Sequence, residues 1–401
     1  MKIIDSLQKN LTQAYPEIHT ARLSTLMTFV RSGLKEQRVS VTYLGRDLKN
    51  LSNTSKKHDI KRADRLCGNH YLHNERLNYY SLMTRQLVGA QQHPIILVDW
   101  SPIDGCEIFQ VLRASIPMGG RALTLYEKVH PESALNTNKA HQQFLDDLAS
   151  CLPQECRPII ISDAIFRVPW FKAVEKHGWY WLGRVRGNVL LSNDKETWQR
   201  CQDWFSKATG KAKHLGEIFY SKSTAFSCQG FTYKGKNKGR HKSKKRGGVS
   251  RCTTDKYQQQ KAKEPWLLVG HLPERLNRKP EQVIKLYKTR MQIEENFRDT
   301  KNARLGLSLE YARSRSPERY DNLLLIASLI LLVLWCIGYT AYQQDYHKQL
   351  QANTLTKRNV LSVIYVGREV VDDRRYVIDD KVLIDVIKKL SELVIQLNDL
   401  D

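Results

Sequence analysis

Tyr287, Arg290, Glu294 and Lys301 stand three, four and seven residues apart in the segment Tyr287-Lys288-Thr289-Arg290-Met291-Gln292-Ile293-Glu294-Glu295-Asn296-Phe297-Arg298-Asp299-Thr300-Lys301. On a helix, at about 100° per residue, that spacing gathers all four into one narrow stripe, with Ile293 and Phe297 beside it to dock the helix on a core. A carboxylate bracketed by two cations and a phenol suits a helix whose Glu holds a divalent metal while its neighbours hold a phosphodiester. The metal wants oxygen ligands, and the phosphates want cationic donors. The same spacing also describes a solvated face with an Arg290 to Glu294 ion pair at i,i+4. Helical phase sets the adjacent Glu295 off the stripe, on a surface or sheet-edge contact.

Two further carboxylates must be positioned by other elements. Asp99 closes the run His93-Pro94-Ile95-Ile96-Leu97-Val98-Asp99, and Asp163 closes Arg157-Pro158-Ile159-Ile160-Ile161-Ser162-Asp163. Both runs are short and rich in Ile and Val, which predicts buried strands. A lone Asp at a strand end also serves as a turn or helix cap. Between the two, Glu107 to Met118 and Gly120 to Val129 predict strands joined at Met118-Gly119-Gly120. Asn136 to Leu152, with Ala140, Phe144, Leu148 and Leu152 in phase, predicts a helix. After Asp163 come a predicted helix, Val168 to His177, and a strand, Trp179 to Val185. The order is strand with Asp, strand, strand, helix, strand with Asp, and a Glu follows on a later helix.

The pattern Tyr-x2-Arg-x3-Glu-x6-Lys, met by Tyr287, Arg290, Glu294 and Lys301, resembles the signature of the insertion-sequence-four family of DDE transposases. The strings Leu97-Val98-Asp99-Trp100-Ser101 and Ser162-Asp163-Ala164-x-Phe166 match as well, and the chain is similar over nearly its whole length to bacterial transposases of the composite tetracycline-resistance transposon type. The resemblance implies an α/β, ribonuclease H-like catalytic core with Asp99, Asp163 and Glu294 as catalytic and metal-binding residues. Asp99 and Asp163 lie 64 residues apart, which suits that fold directly, whereas the 131 residues from Asp163 to Glu294 imply an inserted domain, β-rich in the family. Two Mg²⁺ ions, replaceable by Mn²⁺, would be held with Asp99 bridging them, Asp163 on one and Glu294 on the other. Without metal, three such carboxylates would repel one another. Tyr287, Arg290 and Lys301 would hold the phosphate beside the cut, with Arg298 as a further DNA contact. Trp266 would stack on a base flipped out during hairpin formation, or else belong to the core of the last strand.

Composition agrees with a DNA partner. In 401 residues, Lys and Arg outnumber Asp and Glu by 23, an excess that favours a polyanion. The charge is uneven: from Lys234 to Arg246, eight of thirteen residues are Lys or Arg and none is acidic. Such a run predicts a loop or arm that tracks phosphates rather than packs, and binding that weakens steeply with salt. Eight cysteines without a Cys-x2-Cys pair argue against a zinc module or a disulfide framework and fit a reducing cytoplasm, which the resemblance implies is bacterial, with the protein nucleoid-associated. Met1 to Leu11 does not read as a signal peptide. Leu323 to Tyr339 carries no charge over seventeen residues; it predicts a helix buried against the sheet, not a membrane anchor. No Gly-rich P-loop is present, so no nucleotide cofactor is expected.

Five regions follow. Residues 1–88 predict a helical DNA-end-binding domain, with Leu7, Leu11, Ile18, Leu23, Leu26 and Phe29 at helical intervals. Its basic helix Lys56 to Leu66 offers Lys61, Arg62 and Arg65 either to a DNA groove or to solvent. Residues 89–190 and 276–345 form the two parts of the core. Residues 191–275 form the β-rich insertion, with strands expected around Phe219, Tyr220, Phe226, Phe231 and Tyr233. Residues 346–401 are a C-terminal helical region, where Val382, Val386, Leu390, Leu393 and Leu397 predict one amphipathic helix that either docks on its own domain or dimerises. The function implied is cut-and-paste transposition by a homodimer pairing two element ends: hydrolysis, a hairpin intermediate, then joining to target DNA. A nuclease that only hydrolyses and a non-catalytic, transposase-derived DNA-binding protein are the competing readings.

Overall fold

The computed structural model describes residues 2–46, 48, 54–103, 105, 107–235, 264–352, 354 and 359–399. Most of the basic run after Gly235 lies outside them. The chain divides into two compact units, Met1–Arg157 with Thr289–Asp399, and Pro158–Lys288.

The first unit opens with five helices, α1 (Lys2–Ala14), α2 (Thr20–Glu36), α3 (Val41–Arg46), α4 (Lys56–Cys67) and α5 (His70–Val88). Ser55 and Asn69 start α4 and α5 by accepting the backbone N–H groups of His58 and Leu72, donors that a helix cannot satisfy itself. The expected apolar positions from Leu7 to Phe29 are all buried. Next comes an antiparallel meander of β1 (Ile95–Pro102), β2 (Phe109–Pro117) and β3 (Ala122–Pro131), followed by α6 (Asn138–Cys151). The β2–β3 turn needs left-handed backbone at both central residues, and Gly119 and Gly120, with φ of 63° and 94°, supply it without a Cβ clash.

Two later helices complete this unit's core. One, Met291–Lys301, carries Glu294; the other, Pro317–Gln343, contains the uncharged stretch. By length and composition the second helix is apolar enough to cross a membrane, but it is buried nearly throughout and packs on β3, α2 and α5, as expected. Val363–Asp372 crosses it closely. A Cβ on Gly338 would stand 1.9 Å from the Val363 carbonyl oxygen, and one on Gly367 2.2 Å from that of Leu334, so only glycine lets the two backbones touch. The chain's last amphipathic segment differs from expectation. It is two helices, Asp380–Lys388 and Leu390–Leu397, broken at Lys389. Of the expected stripe, Val386, Leu390 and Leu393 are buried in this same unit, with Leu383 and Val394 beside them, while Val382 is half-exposed and Leu397 exposed.

The second unit is one sheet with helices. β4 (Ile159–Ser162) runs parallel to β5 (Tyr180–Val185) through α7 (Val168–Lys176), a crossover that parallel strands require. β6 (Leu190–Ser192), β7 (Gln199–Arg200), β8 (Lys213–Tyr220), β9 (Phe226–Tyr233) and β10 (Trp266–His271) follow. β10 lies between β5 and β9, and β8 pairs β9, so the strands expected around Phe219 to Tyr233 belong to this unit's sheet. In chain order the elements β1, β2, β3, α6, β4, α7, β5 are those of a ribonuclease H-like core.

Candidate active site

Asp99 stands inside β1, past four buried residues, where the strand turns from buried to half-exposed. Its Oδ1 accepts the Trp100 N–H at 2.9 Å, and its Oδ2 accepts Arg290 Nη1 at 3.1 Å. The other terminal nitrogen of the same guanidinium donates to Glu294 Oε1. Two carboxylates separated by almost two hundred residues of chain therefore face one cation. The i,i+4 pair read from the sequence exists, but it is half of a bridge that also takes in Asp99. The repulsion expected between these carboxylates is offset by Arg290. Glu294 is 45% exposed at its side chain, while Asp99 and Arg290 are each 13% exposed.

The single helix expected to carry all four signature residues is two. Tyr287 belongs to Pro280–Lys288, and Arg290 caps Met291–Lys301 with helical backbone, φ −51°. The second helix opens with i,i+3 bonds, Gln292 N to Thr289 O at 2.8 Å and Ile293 N to Arg290 O at 3.2 Å, a tighter first turn. Tyr287 is buried, its ring edge-on to Trp266 with centroids 5.1 Å apart.

Lys301 reaches the end of β1, donating to Ser101 Oγ at 2.6 Å and to the Pro102 carbonyl at 2.7 Å. Burial, with Arg113 nearby, pushes its ammonium down to about 8. The helix is thus tied to β1 at both ends, through Arg290 to Asp99 and through Lys301 to Ser101. Glu295 pairs with Arg121 and, at 3.2 Å, with Arg298, which places Glu295 on the sheet-edge contact expected of it. Arg298 remains half-exposed.

Asp163 follows β4 in the second unit and accepts the Ile165 N–H at 2.8 Å, so it forms the turn that leads into α7. Trp266 begins β10 in that unit, half-buried, with Tyr233 edge-on at 6.0 Å and the Arg184 guanidinium 5.8 Å from its ring. On α4, Lys61 and Arg65 are exposed, whereas Arg62 turns inward, donating to Thr25 Oγ1 at 3.2 Å and lying over the Phe29 ring.

Among the described residues, no group of three or more His, Cys, Asp or Glu side chains is gathered as a metal site. Asp99 and Glu294 nevertheless present oxygen donors to a common cation, the donor chemistry that a hard divalent ion takes. Sequence reading missed the residues behind the site: Gln292, Asn296 and Thr300 on the helix, and Arg113 on β2. The available signal was that Asn296 and Thr300 are polar at the phase of Ile293 and Phe297, where a docked helix is normally apolar.

A family model described as a transposase DDE domain matches residues 90–333. No curated protein matches the chain. Among solved structures, it is similar to the cryo-EM structure of a piggyBac transposase synaptic complex with hairpin DNA, at 13% identity and a TM-score of 0.37, over 97% of this chain and 83% of that one.

Proposed function

Because the chain belongs to the transposase DDE-domain family, we propose that it is a cut-and-paste DNA transposase of the insertion-sequence-four type whose catalytic carboxylates are Asp99, Asp163 and Glu294. The observation that carries this reading is the meeting of Asp99 and Glu294, one from a strand and one from a helix, on the guanidinium of Arg290. A phosphodiester site has reason to bring two carboxylates to one cation, since it must exchange that cation for metal and phosphate. Asp99, Asp163 and Glu294 would hold Mg²⁺ or Mn²⁺, which when bound relieves charge at the attacking and leaving oxygens.

The chain's own residues bind and orient DNA. Arg290 trades its carboxylates for a phosphate beside the cut, a planar donor for which guanidinium is suited. Water attacks the phosphorus at the element end and the 3′-oxygen leaves as a hydroxyl. That hydroxyl attacks a phosphodiester of the opposite strand to close a hairpin, expelling the flanking strand's 3′-oxygen as a hydroxyl; a second water reopens the hairpin, and the freed 3′-hydroxyl attacks a target phosphodiester, from which the target's own 3′-oxygen leaves. Trp266 offers a face to an unstacked base, while Lys61 and Arg65 on α4 and the run from Lys234 to Arg246 contact backbone phosphates. Ends are cut and joined in pairs, so the protein works as a homodimer on two of them.

The test is a Mg²⁺-dependent cleavage and strand-transfer assay on DNA bearing the inverted repeats that flank the gene, with Asp163→Asn and Glu294→Gln beside the unaltered protein. Cut, hairpin and joined products from the unaltered protein alone, with all three binding, are expected. Binding without cutting by all three would make the chain a DNA-binding relic, and cut products without joined ones a hydrolysis-only nuclease.

A further inference from the structure

The helix that carries Glu294 meets β2 and β3 through a polar row. Gln292 Oε1 accepts the N–H groups of Met118 and Gly120 at 3.1 and 3.0 Å in the β2–β3 turn. One helical turn on, Asn296 donates to the Ala122 carbonyl at 2.9 Å and accepts Arg113 Nη1 at 2.7 Å, with the hydroxyls of Ser115 and Thr124 each at 3.3 Å. A further turn on, Thr300 Oγ1 stands 3.1 Å from Arg113 Nη1 and itself donates to the Asn296 carbonyl. Asn296, Thr300 and Arg113 are each 1% exposed.

Arg113 is the hub, and its place is telling. In the β1–β2 ladder it stands directly opposite Asp99, and cross-strand partners share a face of the sheet. Its Nε and Nη2 donate to Glu127 Oε2 at 2.8 and 2.6 Å, and its guanidinium lies over the Phe297 ring at 4.6 Å. Glu127 is held in turn by Ser328 at 2.7 Å and Tyr80 at 3.1 Å through its other oxygen. One buried side chain therefore references the Glu294 helix to the strand position facing Asp99.

We infer that Asn296 and Arg113 are positioning residues that fix the rotation and register of the Glu294 helix, and so the place of Glu294 relative to Asp99; this rests on the transposase reading. The physical reason is directionality. An apolar helix face can slide or rotate by a fraction of a turn at little cost, whereas an amide held at both ends by groups on β2 and β3 loses its bonds when the helix turns. Asn296 lies two residues from Glu294, within a single turn, so whatever fixes its rotation fixes that of Glu294. A shift of about 1 Å at a catalytic group is enough to cost about 10²-fold in rate.

The experiment compares Asn296→Leu, Asn296→Asp and Thr300→Val with the unaltered protein and Glu294→Gln. The readouts are thermal midpoint, end-DNA binding, single-turnover cleavage across DNA concentrations, and Mn²⁺ binding by electron paramagnetic resonance. Asn296→Leu is expected to keep DNA affinity while the maximal cleavage rate falls by about 10²-fold and Mn²⁺ binds more weakly, toward the level of Glu294→Gln. Asn296→Asp retains an acceptor for Arg113 but loses the donor to the Ala122 carbonyl, and should recover part of both. Thr300→Val removes only a hydroxyl and should cost about tenfold. Unchanged Mn²⁺ affinity and rate in Asn296→Leu, measured well below its midpoint, would overturn the inference. Should that variant not fold, an unchanged Thr300→Val would do the same. If the unaltered protein cuts no end DNA, the transposase reading fails, while Mn²⁺ binding still decides whether Asn296 positions the carboxylates.

Discussion

Arg290 and Arg113 do the same kind of bonding in opposite surroundings. Each guanidinium joins the Glu294 helix to the β-meander, Arg290 through Asp99 on β1 and Arg113 through β2 and the Glu127 carboxylate on β3. At the first cluster Glu294 is 45% exposed and Asp99 and Arg290 are 13% each; at the second, Arg113 and Glu127 are 1% and 0% exposed. In partly solvated surroundings an ion pair is worth little, because water serves each charge almost as well. In the interior the other side chains bonded to the pair are neutral, so removing one charge leaves the other without its counter-ion. On the proposed function the front cluster would give way to a metal ion and a phosphate, whereas the rear cluster would hold as long as the fold does. That division lets one helix be both exchangeable and fixed.

The comparison breaks most visibly at Glu127. Glu127→Gln leaves the Arg113 charge buried against a neutral amide and is expected to cost about 3–5 kcal/mol of stability, read by urea denaturation. A loss below about 1 kcal/mol would mean that the rear cluster behaves like a surface pair. Arg290→Ala tests the other side. Its stability should change by only about 1 kcal/mol, while cleavage falls by about 10²-fold or more. Mn²⁺ should also stabilise this variant more than the unaltered protein, since no guanidinium competes for Asp99 and Glu294. Equal stabilisation of both by Mn²⁺ would show that Arg290 does not occupy the metal's place.

Much of the frame was legible because periodicity and turn chemistry agree along the chain. Ile95 to Val98 and Ile159 to Ile161 are continuous apolar runs, Gly119-Gly120 marks its own turn, and the uncharged helix after Pro317 declares its burial by composition. The carboxylates Asp99 and Glu294 were legible from residue type and spacing, and the structure brings them to one cation. The rest escaped for physical reasons. No Gly or Pro marks the joint at Thr289-Arg290 or the break at Lys389, so a continuous helix was the natural reading, and Tyr287 was assigned to the wrong one. Lys301 reads as a phosphate ligand by charge, yet its ammonium is engaged by Ser101 and Pro102, groups whose proximity is a tertiary fact. Arg113 sits in a strand at a phase that sequence assigns as readily to solvent as to core, and only the burial of Glu127 and Asn296 around it discloses its role.

A third tier of cation extends the same gradient to its weak end. On α4, Arg62 is engaged with Thr25 and Phe29, while Lys61 and Arg65 are exposed to solvent. If burial sorts structural from exchangeable charge, the Lys61→Ala, Arg65→Ala double variant should keep the thermal midpoint of the unaltered protein and change only its dealings with DNA. Each cation that neutralises a phosphate releases counterions, so losing both should flatten the dependence of log affinity on log salt by about 0.9 per residue. The weakening should be similar for any duplex, because phosphates carry no sequence. Titrations of end DNA and unrelated DNA at several salt concentrations measure both quantities. A slope equal to that of the unaltered protein would remove α4 from the DNA interface. A lowered midpoint would show instead that exposure alone does not mark a charge as exchangeable, and the contrast between Arg290 and Arg113 would then need a cause other than burial.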